Sequence, residues 1–326
     1  MILRLKAAQS RGTGIAIARY DRMGRPTVVR YLPAFTGFLL LLASSVAAQA
    51  QNRSTSAAQA NDNKSNPEIE LNLIALPTTR SIARHHGYFR LTHRFTRDLK
   101  LGDFSDLAND LFGLDNGSVI GFEYRFAVED NIQVGIHRST LYKATQLFSR
   151  WDAVRQGHGL PVGLSGFASI EALDNFHDGH QPGAGGVVSR TWGQALAVYA
   201  SPTYVYGTFD AERIATGIVG HEHDHKLADG RESQDGEDHS LHKATFYVGL
   251  GGRLRVRPTV FVVGEYSPRI NGHDPGEAMW GVGLEKWTRG HTLQLNLTNS
   301  YATTPGQIAR GGTNALYLGF NITRKF

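Results

Sequence analysis

The sequence predicts an all-β chain: a transmembrane antiparallel up-and-down β-barrel of about twelve strands, preceded by a cleaved signal peptide. Three observations lead there. Apolar and polar residues alternate with a period of two in run after run, many of them about 9–12 residues long, the length a tilted strand needs to cross a bilayer. After residue 50 no segment approaches the roughly 18 consecutive apolar residues of a membrane helix. The 326 residues include 37 Gly, 12 Tyr, 16 Phe and 4 Trp. That composition suits a wall with one face in lipid and small residues relieving crowding inside.

The leader comes first. Residues 35–46 read FTGFLLLLASSV, an apolar run of signal-peptide length behind Arg25 and Arg30. Ala48-Gln49-Ala50 supplies the small-residue cleavage pattern, with cutting expected before Gln51 and Val46-Ala47-Ala48 as a second option. Residues 1–50 are therefore expected to be a signal peptide, with Met23 as the start of a leader of ordinary length. Residues 51–68 are expected to form a flexible periplasmic tether, since 51–66 is polar and lacks aromatics, and 69–326 the outer-membrane barrel domain.

The formal charge of +5 belongs to the leader. Residues 1–50 hold seven of the 34 basic side chains and one of the 29 acidic ones, which leaves 27 basic against 28 acidic. The remainder gives no electrostatic reason to bind nucleic acid. With no cysteine there is no disulfide framework, thiolate metal site or cysteine nucleophile, and no cofactor is expected.

The strands follow in order: 87–97, 118–126, 131–139, 144–151, 162–172, 193–200, 203–209, 243–257, 259–267, 278–287, 291–299 and 314–325. Leu293, Leu295 and Leu297 alternate with Thr292, Gln294, Asn296 and Thr298; Trp280, Val282 and Leu284 alternate with Gly281, Gly283 and Glu285. Gap lengths alternate too. Long gaps at 173–192, 210–242 and 300–313 and an intermediate one at 268–277 are separated by tight turns at Ser201-Pro202, Pro258 and 288–290. This is the asymmetry of short periplasmic turns and long external loops. An even strand count puts both chain ends on the periplasmic side. Residues 69–76 would break that parity, so they are expected to be a short periplasmic segment. Phe326 at the C-terminus resembles the signal read by the outer-membrane barrel assembly machinery, although Arg324 departs from its apolar pattern.

THRF (92–95), LFGLDNG (111–117), VGIHRSTLYK (134–143), HTLQLNLTNS (291–300) and LYLGFNITRKF (316–326) occur in that order. Together they resemble a bacterial membrane-bound β-barrel family catalogued as domain of unknown function 5777, over roughly residues 68–326. The resemblance implies a barrel and a membrane location; it carries no activity and no catalytic residues.

The candidate sites are few. His221, His223 and His225 share one face if extended, and with His239 and His242 they are a candidate set for Zn²⁺, Cu²⁺ or Ni²⁺. The literal H-E-x-x-H at 221–225 sits among glycines, a poor context for the helix that a zinc protease requires. In GDFSDLANDLFGLDNG, Phe104, Leu107, Leu111 and Phe112 have helical spacing. That predicts a short amphipathic helix, capped by Asp103 or Ser105, that packs on the rim or plugs the lumen. Glu123, Arg125, His137, Glu171, Arg253, Arg255, Arg257, Glu265 and Glu285 fall on the presumed lumen face. They predict charge pairs that fill the lumen or an anion-preferring constriction. His239-Ser240 has no orienting partner, so the chain is not expected to be an enzyme. The expected partners are the outer-membrane lipid bilayer, the assembly machinery, a small polar or anionic solute and a metal ion. The expected role is passive permeation or binding of that solute; the alternatives are an accessory protein using the His-rich loop or a non-membrane periplasmic β-protein.

Overall fold

The computed structural model describes residues 18–20, 26–28, 67–157, 160–208, 244–273, 276–288 and 290–326. The signal-peptide core at 35–46, its cleavage site and the segment 51–66 lie outside the described residues. The chain divides into two units, Met1–Thr55 and Ser56–Phe326. In the first, Ala18–Tyr20 pairs antiparallel with Pro26–Val28.

In the second unit twelve strands form the wall: β1 Gly87–Phe95, β2 Ser118–Glu129, β3 Ile132–Ser139, β4 Thr145–Val154, β5 Gly163–Leu173, β6 Asp178–Trp192, β7 Leu196–Tyr206, β8 Ala244–Arg257, β9 Val260–Ser267, β10 Met279–Thr288, β11 His291–Thr298 and β12 Tyr317–Lys325. Each pairs antiparallel with its neighbours in sequence, and β12 returns to β1 in the register Gly319↔Arg94 to Lys325↔Tyr88. The sheet is thus closed on itself and exposes no edge, as an up-and-down barrel requires. A short strand, Arg269–Asn271, adds to β8 beyond the barrel proper.

The total of twelve agrees with expectation, but two elements differ. Residues 193–200 and 203–209 are one strand, β7, which runs straight through Ser201-Pro202. Pro202 stands opposite Val248 in β8. The ladder to β6 pairs Gly185 with Thr203 and resumes at Val188 with Ala200, skipping Pro202, which has no N–H to give. The expected long loop 173–192 is mostly β6, DGHQPGAGGVVSRTW. Its Pro182, Gly183, Gly185 and Gly186 hide the alternation, because a face without side chains leaves no hydrophobic period.

The connections are 130–131, 155–162, 193–195, 258–259 and 289–290 at one end, and 96–117, 140–144, 174–177, 207–243, 268–278 and 299–316 at the other. We refer to these as the tight-turn and long-loop ends.

The faces are inverted relative to a soluble protein. On β11, Leu293 and Leu295 are 46% and 55% exposed, whereas Gln294 and Asn296 are 5% and 1% exposed. Phe122, Val134, Leu147, Leu250, Leu254, Val282 and Leu284 are likewise exposed. Exposed Trp151 and Trp192 stand towards the tight-turn end, and Tyr204, Tyr206 and Tyr266 towards the long-loop end. This is the arrangement of aromatic girdles at the two interfaces of a bilayer. Replacing mid-strand Leu295 with arginine is expected to cost about 2–4 kcal/mol, read from denaturant unfolding in lipid vesicles. An unchanged midpoint would mean that lipid does not cover this face.

Candidate functional site: the filled lumen

The segment expected outside the barrel at 69–76 runs inside it. Residues 67–82 fold into a hairpin: Asn72 and Pro77 form a β-bridge, Leu73 N donates to Leu76 O at 2.8 Å and Thr78 N donates to Leu71 O at 3.0 Å. Ile69, Leu71, Leu73, Ile74, Ala75 and Leu76 are all at most 4% exposed. Parity correctly keeps this segment out of the wall. Its apolar side chains are buried inside because the lumen offers both an apolar patch and room.

The room comes from glycine. A Cβ at Gly249 would lie 2.4 Å from Leu76 Cδ2, and one at Gly251 would lie 2.3 Å from Leu73 Cδ1. These two positions on β8 are notches into which the hairpin tip seats. Around it Val187, Tyr199, Val205, Tyr247, Val263 and Met279 supply the apolar patch.

The hairpin's backbone is held by inward polar side chains of the wall. Glu265 accepts from three consecutive amides, Ile74 N at 3.0 Å, Ala75 N at 2.9 Å and Leu76 N at 3.1 Å. Arg253 donates to Asn72 O at 2.9 Å, Gln294 to Leu73 O at 3.1 Å and Asn321 to Ile74 O at 3.2 Å. Arg90 also donates to Ile74 O, and Lys325 donates to Ile69 O. Arg125 donates to the Asn72 side-chain carbonyl at 2.9 Å.

Ion pairs offset the burial of the charged donors among these. Arg253 forks onto Glu285 at 2.6 and 3.1 Å. Glu123 pairs with Arg125 and lies 3.7 Å from Arg90. Arg150 pairs with Asp152 at 2.7 Å. Glu70, on the hairpin, accepts from the Thr292 hydroxyl at 2.6 Å and lies 3.9 Å from Lys325. Burial alone would raise its carboxyl, but the Lys325 charge, the Thr292 hydroxyl and the Arg253 charge outweigh burial and hold it below the ordinary 4.5. A depressed carboxylate contributes stability that is present above its unfolded value and lost as the pH falls through its folded one. Amide protection of the hairpin, corrected for intrinsic exchange, is therefore expected to hold above the ordinary carboxyl value of 4.5 and to decline as the pH falls below it. A flat profile would remove Glu70 from the grip.

A second filler enters from the long-loop end. In the connection 299–316, α2 (Pro305–Ala309) is capped by Thr304, whose hydroxyl accepts from Gln307 N, and its Gly306, Gln307, Ile308 and Ala309 are buried. It touches β6, β7 and β8. Arg310 donates to Gln181 at 2.9 Å and pairs with Glu171 at 3.5 Å, while Thr304 donates to Glu171. Thr303 Oγ1 and His137 Nε2 are 3.2 Å apart. Ile308, Ala309 and Ala302 join the same apolar cluster as Leu73 to Leu76, so the two fillers share one interior core.

Of the sequence-predicted lumen residues, Glu123, Arg125, His137, Glu171, Arg253, Glu265 and Glu285 lie buried in this network. Arg255 is half-buried near the tight-turn end, its guanidinium 5.1 Å from the Phe261 ring centre. Arg257 is a correction: it is exposed at the rim, because the β8–β9 register shifts between Arg255 and Arg257 and breaks the alternation. Gln294 and Asn321, on the polar face of their strands by alternation, also face inward, as do Arg90, Arg94, Arg150 and Asp152, which the sequence reading did not single out. Alternation could have found them, since Arg90, Thr92 and Arg94 interleave with Phe89, Leu91 and His93. His221, His223, His225, His239 and His242 lie outside the described residues. Among the described residues no group of three or more His, Asp or Glu is placed to hold a metal.

The family model described as "Membrane bound beta barrel domain" matches residues 70–326. No curated protein matches the chain. Among solved structures, an outer membrane channel from Pseudomonas putida F1 is similar at 10% identity and a TM-score of 0.45, over 76% of this chain and 97% of that one. The KdgM porin is similar at 6% identity and a TM-score of 0.44, over 74% and 99%. Omp33 of Acinetobacter baumannii is similar at 9% identity and a TM-score of 0.39, over 74% and 98%.

Proposed function

The chain belongs to the family of the membrane bound beta barrel domain of unknown function 5777, and from the contacts inside its lumen we propose that it is an outer-membrane barrel that binds or passes a small polar or anionic solute and is held shut by its own N-terminal hairpin. On this reading the leader exports it, the assembly machinery reads Phe326, and no covalent chemistry is performed. The observation that carries the reading is where the wall's polar side chains end. Arg90, Arg253, Gln294, Asn321 and Glu265 all terminate on the backbone of residues 72–76, a segment that is not part of the wall. Withdrawing the hairpin turns those donors towards the part of the lumen it vacates. With the Arg150–Asp152 and Arg310–Glu171 pairs neutral, Arg90, Arg94, Arg125 and Arg253 then outnumber Glu123, Glu265 and Glu285 by one, which favours anions.

The chain has no cysteine, so a double variant, Leu73→Cys with Gly251→Cys, places a single disulfide between hairpin and wall. In planar bilayers the reduced form is expected to show intermittent openings with an anion-selective reversal potential. The oxidised form is expected to stay silent. Equal conductance in both forms, or silence that persists after residues 67–82 are deleted, would end the proposal.

A further inference from the structure

The connection 96–117 exposes a row of large apolar side chains at the long-loop end. Leu101, Phe104, Leu111, Phe112 and Leu114 are 60%, 74%, 54%, 41% and 54% exposed. The predicted amphipathic helix is present as α1, Phe104–Asn109, with Asp103 and Asp106 in a reciprocal capping box. It neither plugs the lumen nor buries a face, because none of its residues is buried.

The turn that follows rests on the outside of the barrel. A Cβ at Gly113 would lie 2.8 Å from Arg97 Cβ and 3.4 Å from Phe95 Cβ. Phe95 alternates with buried Arg94 and so faces outward. It clusters on the outer surface with His93, whose ring centre is 4.5 Å away, and His93 stacks on Phe320 at 4.7 Å. The apolar row is therefore continuous with the face of the wall that meets lipid. Phe104 and Phe112 lie edge to face at 6.0 Å and form its centre.

Four of the five acids of this loop are turned into its own scaffold, and the fifth, Asp115, is exposed beyond the apolar row. Asp98 accepts from Leu316 N at 2.9 Å and Lys100 N at 3.0 Å. Asp103 and Asp106 cap each other's backbone N–H at 3.0 Å. Asp110 pairs with Arg97 at 2.7 Å. Within residues 101–114 the carboxylates thus shape the loop, while the apolar side chains are left outward.

We propose that residues 101–114 form a foot seated in the leaflet at the long-loop end, with Phe104, Phe112 and their leucine neighbours at the boundary between headgroups and acyl chains. An amphipathic segment whose apolar face adjoins an established lipid-facing surface meets acyl chains without leaving that surface. The occupant is lipid, because the row continues the wall's lipid face on the same side.

The absence of native cysteine makes a single labelled position unambiguous. Leu111→Cys and, separately, Phe104→Cys in the full chain carry an environment-sensitive fluorophore in phosphatidylcholine vesicles. Lys100→Cys is the reference, since Lys100 reaches across to Asn314 O. The labels at 111 and 104 are expected to emit to the blue of the label at 100. Acyl-brominated lipid is expected to quench them several-fold more strongly, and aqueous iodide less. Iodide quenching as strong as at position 100 would overturn the proposal by showing water contact. A blue shift that vanishes when protein is diluted at constant lipid would overturn it in favour of a second copy.

Discussion

Replacing Glu265 with alanine is expected to free the hairpin from the lumen. Its carboxylate accepts from the amides of Ile74, Ala75 and Leu76, and without it these three buried donors face an apolar cluster. Leaving buried donors unpaired costs about 1–3 kcal/mol each, partly offset because a buried carboxylate is no longer desolvated. A net loss of about 2–4 kcal/mol raises the population of the released hairpin by about 30- to 1,000-fold. Hydrogen exchange at residues 74–76 should accelerate by that factor, and openings in planar bilayers should lengthen. Glu265→Gln keeps one carbonyl acceptor and should fall between the two. Unchanged protection in the alanine variant would show that packing of Leu73 and Leu76 into the β8 notches holds the hairpin unaided.

Arg253→Ala should produce the second large effect, and it should reach the wall as well as the hairpin. Arg253 is fully buried, forks onto Glu285 and donates to Asn72 O. Removing it leaves Glu285 buried with the Gln294 amide at 2.8 Å as its neighbour. Breaking a buried pair from one side costs about 3–5 kcal/mol, because it leaves an uncompensated buried charge that removing both partners does not leave. The double variant Arg253→Ala with Glu285→Ala should therefore unfold nearer the wild-type midpoint than the single one does. A double variant as unstable as the sum of two singles would show that the pair is not coupled.

Most of the wall was legible because a membrane barrel writes its two faces into alternate positions. Leu293 to Thr298 and Met279 to Glu285 could be read directly. The reading failed where side chains are missing or where proline imitates a turn. β6 keeps few large side chains between Pro182 and Gly186, and Pro202 sits inside β7 at a point where the ladder can skip a donor. The two errors offset each other, so the strand total agreed while the loop 173–192 did not.

The lumen was less legible for a different reason. Alternation reports which side chains point inward and is silent about what they meet. Glu265, Arg253 and Arg125 could be placed on the inner face, but their partners lie about 50 to 190 residues away in the hairpin. The glycines at 249 and 251 carried a hint, since residues that small imply a close neighbour. Parity then excluded 69–76 from the wall, and together those two observations point to the interior.

A ring of strands must be joined at one place where the chain's first and last segments meet without a covalent link, and here that join is β1 beside β12. The carbonyl oxygen of Ile74 accepts from Arg90 on one side of it and from Asn321 on the other. One oxygen thereby rivets the two lips of the join from within. The lumen hairpin and the closure of the cylinder share a fastening, so force applied to the hairpin at Pro67 is borne by the seam as well as by the hairpin's own contacts.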